Sequence, residues 1–129
     1  MHSKAALAVF ACAAVLRLGI APADDAQPPP GKITFNTYCR TCHSYLKDDN
    51  RLGPSLYGIV GRKAGTEPGY MLYSQGMKDS GIVWSADMLD KWITDPYKIL
   101  PNTNMKPFPG VPDPAQRQKI ITFLESNHD

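Results

Sequence analysis

The amino-acid sequence predicts a small all-α domain with three main helices, short helices and long loops. Apolar residues recur at helical spacing in three segments, within residues 31–42, 84–95 and 113–124. Between these segments glycine and proline are frequent and apolar residues do not alternate with polar ones, which favours irregular backbone over strands. At 129 residues the chain has room for one such domain and an N-terminal extension.

The extension has the features of a secretory signal peptide at residues 1–23. Lys4 lies in a short polar start, residues 5–16 are apolar, and residues 21–23, Ala-Pro-Ala, have the form of a cleavage site. The alternative is an uncleaved membrane anchor, which needs ~20 apolar residues. Arg17 interrupts the apolar run before that length. We therefore expect export and cleavage, with no stable membrane insertion of the mature chain.

Cys12 allows a lipoprotein alternative, but it lies in the middle of the apolar run, and lipid and export signals differ in where the cysteine sits. Cleavage would remove Lys4 and Arg17, so the 14 basic residues fall to 12 and balance the 12 acidic ones. A mature chain without formal net charge is not a basic nucleic-acid binder by composition, and any attraction to charged partners must come from local patches.

The folded domain is expected at residues 31–129. Residues 24–30 contain two acids and three consecutive prolines, which is typical of an extended, solvated leader. A first helix begins at Gly31, and Phe35, Cys39 and Cys42 follow one another at i, i+4 and i+7. This spacing places an aromatic ring and both thiols on one stripe of the helix.

Caps and apolar spacing predict the remaining helices. A brief helix is expected near residues 73–78, and a clearer one follows with Ser85 as its N-cap and the Asp-Pro pair at residues 95–96 as its end. Residues 97–112 contain four prolines and are expected to form a stiff loop. The Asp-Pro pair at residues 113–114 then begins a last helix with one apolar face.

Residues 39–43, Cys-Arg-Thr-Cys-His, form a motif that is typical of covalent haem attachment. Two thiols about one helical turn apart can each add to a vinyl group of one porphyrin, and the imidazole of His43 is then placed under the iron. Two alternatives use the same cysteine spacing. A thioredoxin-like redox pair would need a βαβ pattern, which is missing, and structural zinc usually needs four N or S ligands.

If His43 holds a haem iron, the ligand in the sixth position decides the function, because a Met/His pair raises the potential and leaves no vacancy. Five residues carry a suitable sulfur or imidazole: Met71, Met77, Met88, Met105 and His128. The first three are expected to pack in or near helices, and His128 lies where chains fray. Met105 is favoured because it lies in a proline-stiffened loop, where little entropy is lost on holding it toward a ligand.

From residue 31 to about residue 126 the sequence resembles the class I c-type cytochromes, the soluble family of mitochondria and bacteria. The matching segments follow one another in the family's order and spacing. They are Gly31 and Phe35, residues 39–43, residues 53–58 (Gly-Pro-Ser-Leu-Tyr-Gly), residues 61–65 (Gly-Arg-Lys-Ala-Gly), residues 81–84 (Gly-Ile-Val-Trp), residues 95–96, residues 101–105 (Pro-Asn-Thr-Asn-Met) and residues 120–124.

The resemblance implies a cytochrome c fold wrapped around one haem c. Thioethers would join the haem to Cys39 and Cys42, and His43 and Met105 would be the axial ligands. The carbonyl of Pro54 would accept a hydrogen bond from the ring N–H of His43 and raise the donor strength of the imidazole. Further implied roles are contacts to the haem propionates, from Arg62, Trp84, Thr103 and Tyr73, and a crossing of the first and last helices at Phe35 and Phe123.

Two residues depart from the family's pattern. Trp92 stands where members usually carry a tyrosine that donates to the methionine sulfur, and the indole N–H is also a donor. Asn102 stands where glycine is commoner, and asparagine tolerates left-handed backbone better than most residues. Residues 69–81 are also one residue longer than in mitochondrial members.

The resemblance implies a periplasmic electron carrier rather than an enzyme, a monomer that passes single electrons between respiratory or photosynthetic proteins. The expected partners are membrane or soluble redox proteins, namely cytochrome complexes, oxidases, reductases or dehydrogenases, and not nucleic acid. Two rivals remain: a peroxidase or gas-binding protein in which Met105 detaches, and a subunit of one dehydrogenase complex. A basic rim would steer partners, unless its members are ordinary solvated charges: Arg40, Lys63, Lys98 and Lys106.

Overall fold

The computed structural model describes residues 27–129, and the regular structure in this range is helical. Five helices follow one another along the chain: α1 (Lys32–Tyr38), α2 (Gln75–Asp79), α3 (Ala86–Thr94), α4 (Pro96–Ile99) and α5 (Pro114–Glu125). Extended backbone in the described range pairs at an isolated antiparallel bridge between Lys63 and Val83 and forms no sheet. The predicted all-α class is therefore confirmed for residues 27–129.

The predicted signal peptide at residues 1–23 and the start of the leader lie outside the described residues. The described part of the leader, residues 27–30, is exposed and not helical. None of the helices within residues 27–129 is long and apolar enough to cross a bilayer.

The centre of the core lies where α1 packs against α5. The rings of Phe35 and Phe123 have centroids 5.5 Å apart, and Tyr45 packs edge-on against both of them. Gly31 begins α1 with a positive φ of 85°, and a side chain on it would overlap the carbonyl of Lys119. The predicted crossing of the first and last helices is confirmed, and this close approach requires the glycine.

α1 is shorter than the apolar stripe predicts, because it ends before the two cysteines. Cys39 is its C-cap and donates its N–H to the carbonyl of Phe35. The N–H groups of Cys42 and His43 then both bond to the Cys39 carbonyl, at 3.1 and 2.9 Å. The Cys39 carbonyl thus accepts from both the third and the fourth residue after it, and residues 39–42 form turns.

Side-chain caps position the other helices largely as the sequence predicts. The hydroxyls of Ser74 and Ser85 cap α2 and α3, and the carboxylate of Asp113 caps α5. The helix α4 was not predicted, because residues 97–112 were expected to form a loop. Asp95 ends α3 and its side chain accepts from the N–H of Lys98, so the same Asp-Pro pair that stops one helix begins another.

Candidate haem site

A cavity of about 370 Å³ lies between α2, α3, α5 and the loops that join them. Its lining is mostly apolar, with contributions from Leu56, Ile59, Leu89 and Ile93. Nine of the ten site residues predicted from the sequence also line it: Cys39, Cys42, His43, Pro54, Tyr73, Trp84, Trp92, Thr103 and Met105. Folding thus brings together, around one space, residues that are up to 66 positions apart, from 39 to 105.

His43 is buried and its ring is oriented by its neighbours. Its Nδ1 donates to the carbonyl of Pro54 over 2.8 Å, which leaves Nε2 as the nitrogen with a free lone pair. Gly53 lies directly against the ring, and a Cβ at this position would overlap the imidazole. Burial lowers the pKa of His43, although the hydrogen bond to Pro54 partly opposes this. The side chain is therefore held neutral, as metal coordination requires.

Cys39 and Cys42 are both free thiols in the structure and are half-buried at the cavity wall. Burial, and to a smaller extent charge on Cys42, raises the pKa of Cys39 to about 12. Within residues 27–129 there is no group of three or more His, Cys, Asp or Glu side chains that would hold a metal ion. The described chain therefore offers neither the donor set of a structural zinc site nor the βαβ setting of a thioredoxin-like pair.

Met105 is held by side chains from three directions. The indole Nε1 of Trp92 donates to its sulfur at 3.3 Å, so the residue that departs from the family pattern still supplies a donor. The phenol of Tyr97 donates to the Met105 carbonyl at 3.1 Å, and the N–H of Met105 donates to the hydroxyl of Thr103 at 3.2 Å. The orientation of Met105 thus depends on α3, α4 and its own loop together.

Of the other candidates for the sixth position, Met77 also lines the cavity and is buried on α2. Met71, Met88 and His128 are not among the lining residues. Met77 receives no hydrogen bond on its sulfur from the described residues, whereas Met105 does. The two methionines in the lining therefore differ in how their sulfurs are oriented.

Trp84, Thr103 and Tyr73 each have a partner within the protein. Trp84 is buried and packs edge-on against Trp92, with ring centroids 5.2 Å apart. Thr103 is buried and its hydroxyl accepts from Met105. The hydroxyl of Tyr73 accepts from the N–H of Glu67 at 3.3 Å. All three residues line the cavity.

Arg62 does not line the cavity and forms an ion pair with Glu67 instead. Its guanidinium also donates to the carbonyls of Ser55 and Tyr57, at 2.7 and 3.1 Å. The side chains of Arg62 and Glu67 are 16% and 6% exposed, so Glu67 is buried and Arg62 is largely covered. Sequence analysis did not identify Glu67, because a five-residue separation in a glycine-rich loop matches no helical or strand pairing rule.

Gly53 was also missed as a site residue, although it belongs to a segment that resembles the family. Its N–H donates to the Cys42 carbonyl at 2.7 Å, and its lack of a side chain leaves room for the His43 ring. The only available signal was its position immediately before Pro54. A sequence pattern cannot show which ring will lie against a given glycine.

The residues present fit a covalently attached haem. Two free thiols and a neutral imidazole with an unengaged Nε2 line one part of the cavity. A thioether with an oriented sulfur lines another part, and apolar side chains fill the space between. This fold and donor set define a haem protein of the c type.

Known proteins give the same answer. No family model matches the chain. Cytochrome c2 of Rhodopila globiformis is 51% identical over 108 residues, which are 84% of this chain and 98% of that protein. Cytochrome c of Euglena viridis is 39% identical over 99 residues, which are 77% of this chain and 95% of that protein.

Among solved structures, cytochrome cH from Methylobacterium extorquens matches with a TM-score of 0.67 and 39% identity, and the match covers 74% of this chain and 94% of that chain. The chain therefore belongs to the class I c-type cytochromes. Its cofactor is a covalently attached haem c, and it is an electron-transfer protein.

Proposed function

We propose that the mature protein is a periplasmic one-electron carrier whose haem iron is held by His43 and Met105. The hydrogen bond from Trp92 to the Met105 sulfur is the observation that carries this proposal. It orients one lone pair of the thioether and distinguishes Met105 from Met77, the other methionine in the lining. A sulfur held in this way favours a permanent sixth ligand over a position that opens for a substrate.

The chain's own residues prepare the two axial positions. Pro54 accepts the Nδ1 proton of His43, which fixes the tautomer and makes Nε2 a stronger donor. Trp92 and Tyr97 hold the Met105 sulfur and carbonyl, which restricts the movement of the side chain away from the cavity. Haem bound between two such ligands supplies a one-electron couple at a high potential.

The apolar lining supports the same function by excluding water. Trp84, Leu89, Ile93 and Leu124 are buried and line the cavity, so the site has a low local dielectric. A neutral thioether and a neutral imidazole would add no negative charge to offset the net positive charge of a ferric haem core in this setting, which would favour the reduced state. Packed side chains also move little when the charge changes, so electron exchange needs little reorganisation.

Export and partners complete the proposal. The predicted signal peptide at residues 1–23 directs the chain to the periplasm, where the reduced pair Cys39 and Cys42 receives the haem. The mature protein acts as a monomer. Its partners are membrane or soluble redox proteins of the respiratory or photosynthetic type.

The test is to express the full chain with haem-attachment machinery and to compare spectra of the wild type, Met105→Ala and Met77→Leu. We expect covalent haem in all three proteins. The long-wavelength absorption of methionine-bound ferric haem should be present in the wild type and in Met77→Leu and absent from Met105→Ala. Its persistence in Met105→Ala, or its loss in Met77→Leu, would contradict the assignment of Met105.

Carbon monoxide separates the carrier from the gas-binding rival. A stable bond between iron and Met105 should make binding to the reduced wild type slow and binding to Met105→Ala fast. Fast binding to the wild type at neutral pH would show that Met105 detaches, and the carrier proposal would then be wrong.

A further inference from the structure

The ion pair of Arg62 and Glu67 lies against the wall of the haem cavity. The backbone N–H of Trp84 donates to the Arg62 carbonyl at 3.0 Å, and the N–H of Glu67 donates to the hydroxyl of Tyr73 at 3.3 Å. Trp84 and Tyr73 both line the cavity. The pair therefore contacts two residues of the cavity wall from behind.

The side chain of Arg62 is turned onto the segment that holds His43. Its guanidinium donates to the carbonyls of Ser55 and Tyr57 and to its partner carboxylate, which uses three of its five N–H donors. This segment follows directly after Pro54, whose carbonyl accepts the Nδ1 proton of His43. The positive charge is thereby placed next to the part of the chain that positions a predicted iron ligand.

Glu67 supplies the opposite charge at this point and is shielded from water. Its side chain is 6% exposed and that of Arg62 is 16% exposed. In each of the other ion pairs within residues 27–129, at least one side chain is 41% exposed or more. Water and salt screen exposed charges strongly and covered charges much less. A charge left unbalanced at Arg62 or Glu67 would therefore act more strongly on a group in the cavity than one left at the surface.

The two charges oppose one another at the cavity wall, as their effects on Tyr73 show. Burial raises the pKa of Tyr73, and the hydrogen bond from the Glu67 N–H and the charge on Arg62 lower it. The charge on Glu67 acts against that of Arg62 and raises this pKa. A group inside the cavity experiences the two charges with opposite sign as well, so the intact pair adds little net field there.

We propose that Glu67 is a positioning residue that sets the reduction potential, because it holds the guanidinium of Arg62 on the segment after Pro54 and cancels its charge near the haem. This inference rests on the proposed function. The class I resemblance assigns Arg62 to the haem propionates, whereas here a protein carboxylate already balances its charge. Reduction lowers the positive charge at the iron, so an unbalanced guanidinium favours the reduced state and an unbalanced carboxylate favours the oxidised state.

The reduction potential of the holoprotein, measured by equilibration with a redox dye, tests this role. In Glu67→Gln the charge of Arg62 is no longer balanced, so the equilibrium constant for reduction should rise roughly threefold to tenfold. A tenfold rise corresponds to about 59 mV for one electron. A purely structural role predicts the opposite sign, because a loosened wall admits water, which stabilises the ferric charge. A lower or unchanged potential in Glu67→Gln would overturn the proposal.

Two further variants separate the charge of Glu67 from its shape. Glu67→Asp keeps the negative charge, so its equilibrium constant for reduction should stay within about twofold of the wild type, even where the shorter side chain lowers stability. The double variant Glu67→Gln, Arg62→Gln removes both charges and should return this constant toward the wild-type value. A double variant that keeps the full shift of Glu67→Gln would show that the charge of Arg62 is not the cause, and the proposal would be wrong.

Asp49→Asn is the matched control, because it breaks an exposed pair with Arg51. Its equilibrium constant for reduction should change by less than about twofold, and the change should vanish at about 1 M ionic strength, where the Debye length is roughly 3 Å. The shift in Glu67→Gln should persist from about 0.01 M to about 1 M, since covered charges are screened much less. If salt removes both shifts equally, Glu67 acts from the surface and the proposal fails.

The spectra of the wild type keep this inference separate from the proposed function. If covalent haem or the absorption of methionine-bound ferric haem is absent, the carrier proposal fails. If both are present and the potential does not follow the charge of Glu67, the carrier proposal stands and this inference fails. Should Glu67→Gln not retain haem, the double variant is compared with Arg62→Gln and should have the higher potential, and equal potentials would refute the role of Glu67.

Discussion

On the two sides of the haem cavity, the predicted iron ligands His43 and Met105 are positioned by different kinds of partner. On the His43 side, residues 39–56, backbone groups close to one another in sequence pair directly. Gly53 donates to the Cys42 carbonyl at 2.7 Å and Leu56 donates to the Ser44 carbonyl at 2.8 Å. On the Met105 side, residues 92–108, side chains do this work, since Trp92 and Tyr97 hold the sulfur and the carbonyl of Met105.

This difference predicts that substitutions on the His43 side and on the Met105 side have effects of different size. The His43 side depends on correct turns and on room for the imidazole ring. Single substitutions there should therefore act through steric overlap or through the loss of a buried charge that supports the turns. On the Met105 side, a single substitution removes one hydrogen bond, and each bond contributes only about 1 kcal/mol. We therefore expect exchange of the sixth ligand to begin on the Met105 side.

Glu67→Ala should have the largest effect, because it leaves the Arg62 guanidinium buried without its partner beside the carbonyls of Ser55 and Tyr57. Breaking a buried pair typically costs about 3–5 kcal/mol. Urea unfolding of the holoprotein should show this loss. Asp49→Ala breaks the exposed pair with Arg51 and should change stability little, so equal losses in the two variants would contradict the supporting role of the buried pair.

The thiol of Cys39 tests the burial of the His43 side in the haem-free chain. In Cys42→Ser, alkylation of Cys39 by iodoacetamide should rise about tenfold per pH unit and continue to rise above pH 9.0, because burial is the larger of the two causes that raise the pKa of Cys39 and it is kept in this variant. In urea the rate should level off near the ordinary pKa of 9.0. Mass spectrometry gives the rates, and a folded profile that also levels off near 9.0 would show that Cys39 is not buried.

Gly53→Ala should disturb the His43 side through sterics alone, because the added methyl overlaps the imidazole ring. Overpacking of this kind costs about 1–3 kcal/mol, measured by denaturant unfolding. Gly76→Ala is the control. Gly76 lies within α2, where the new methyl meets a flexible Leu100 methyl at 3.3 Å, so this variant should be neutral or slightly more stable.

Tyr97→Phe should have the smallest effect and should act on the Met105 side. It removes a donor to the Met105 carbonyl and an acceptor for the N–H of Phe108, both at 3.1 Å. A loss of about 1 kcal/mol corresponds to roughly fivefold easier displacement of Met105 by added imidazole, followed by the methionine–iron absorption. Tyr57→Phe removes a phenol that bonds Asp129 instead, and it should leave displacement unchanged.

Local sequence was sufficient for much of the fold. Ser85 and Asp113 act as predicted caps, and the Asp-Pro pair at residues 95–96 ends α3 as predicted. These features depend on groups within a few residues of one another, and local rules describe such groups well. Nine of the ten predicted site residues also line the cavity, but five of these nine came from the resemblance to the class I c-type cytochromes and not from local rules.

The sequence by itself determined the Cys-x-x-Cys-His run, and the resemblance to the class I c-type cytochromes implied the pairing of His43 with Pro54, 11 residues apart. Only the tertiary structure decided that Trp92 reaches the sulfur of Met105 and that Glu67 takes the guanidinium of Arg62. The physical reason is that these contacts join side chains from different elements. Their geometry follows from how those elements pack, which neither spacing nor composition specifies.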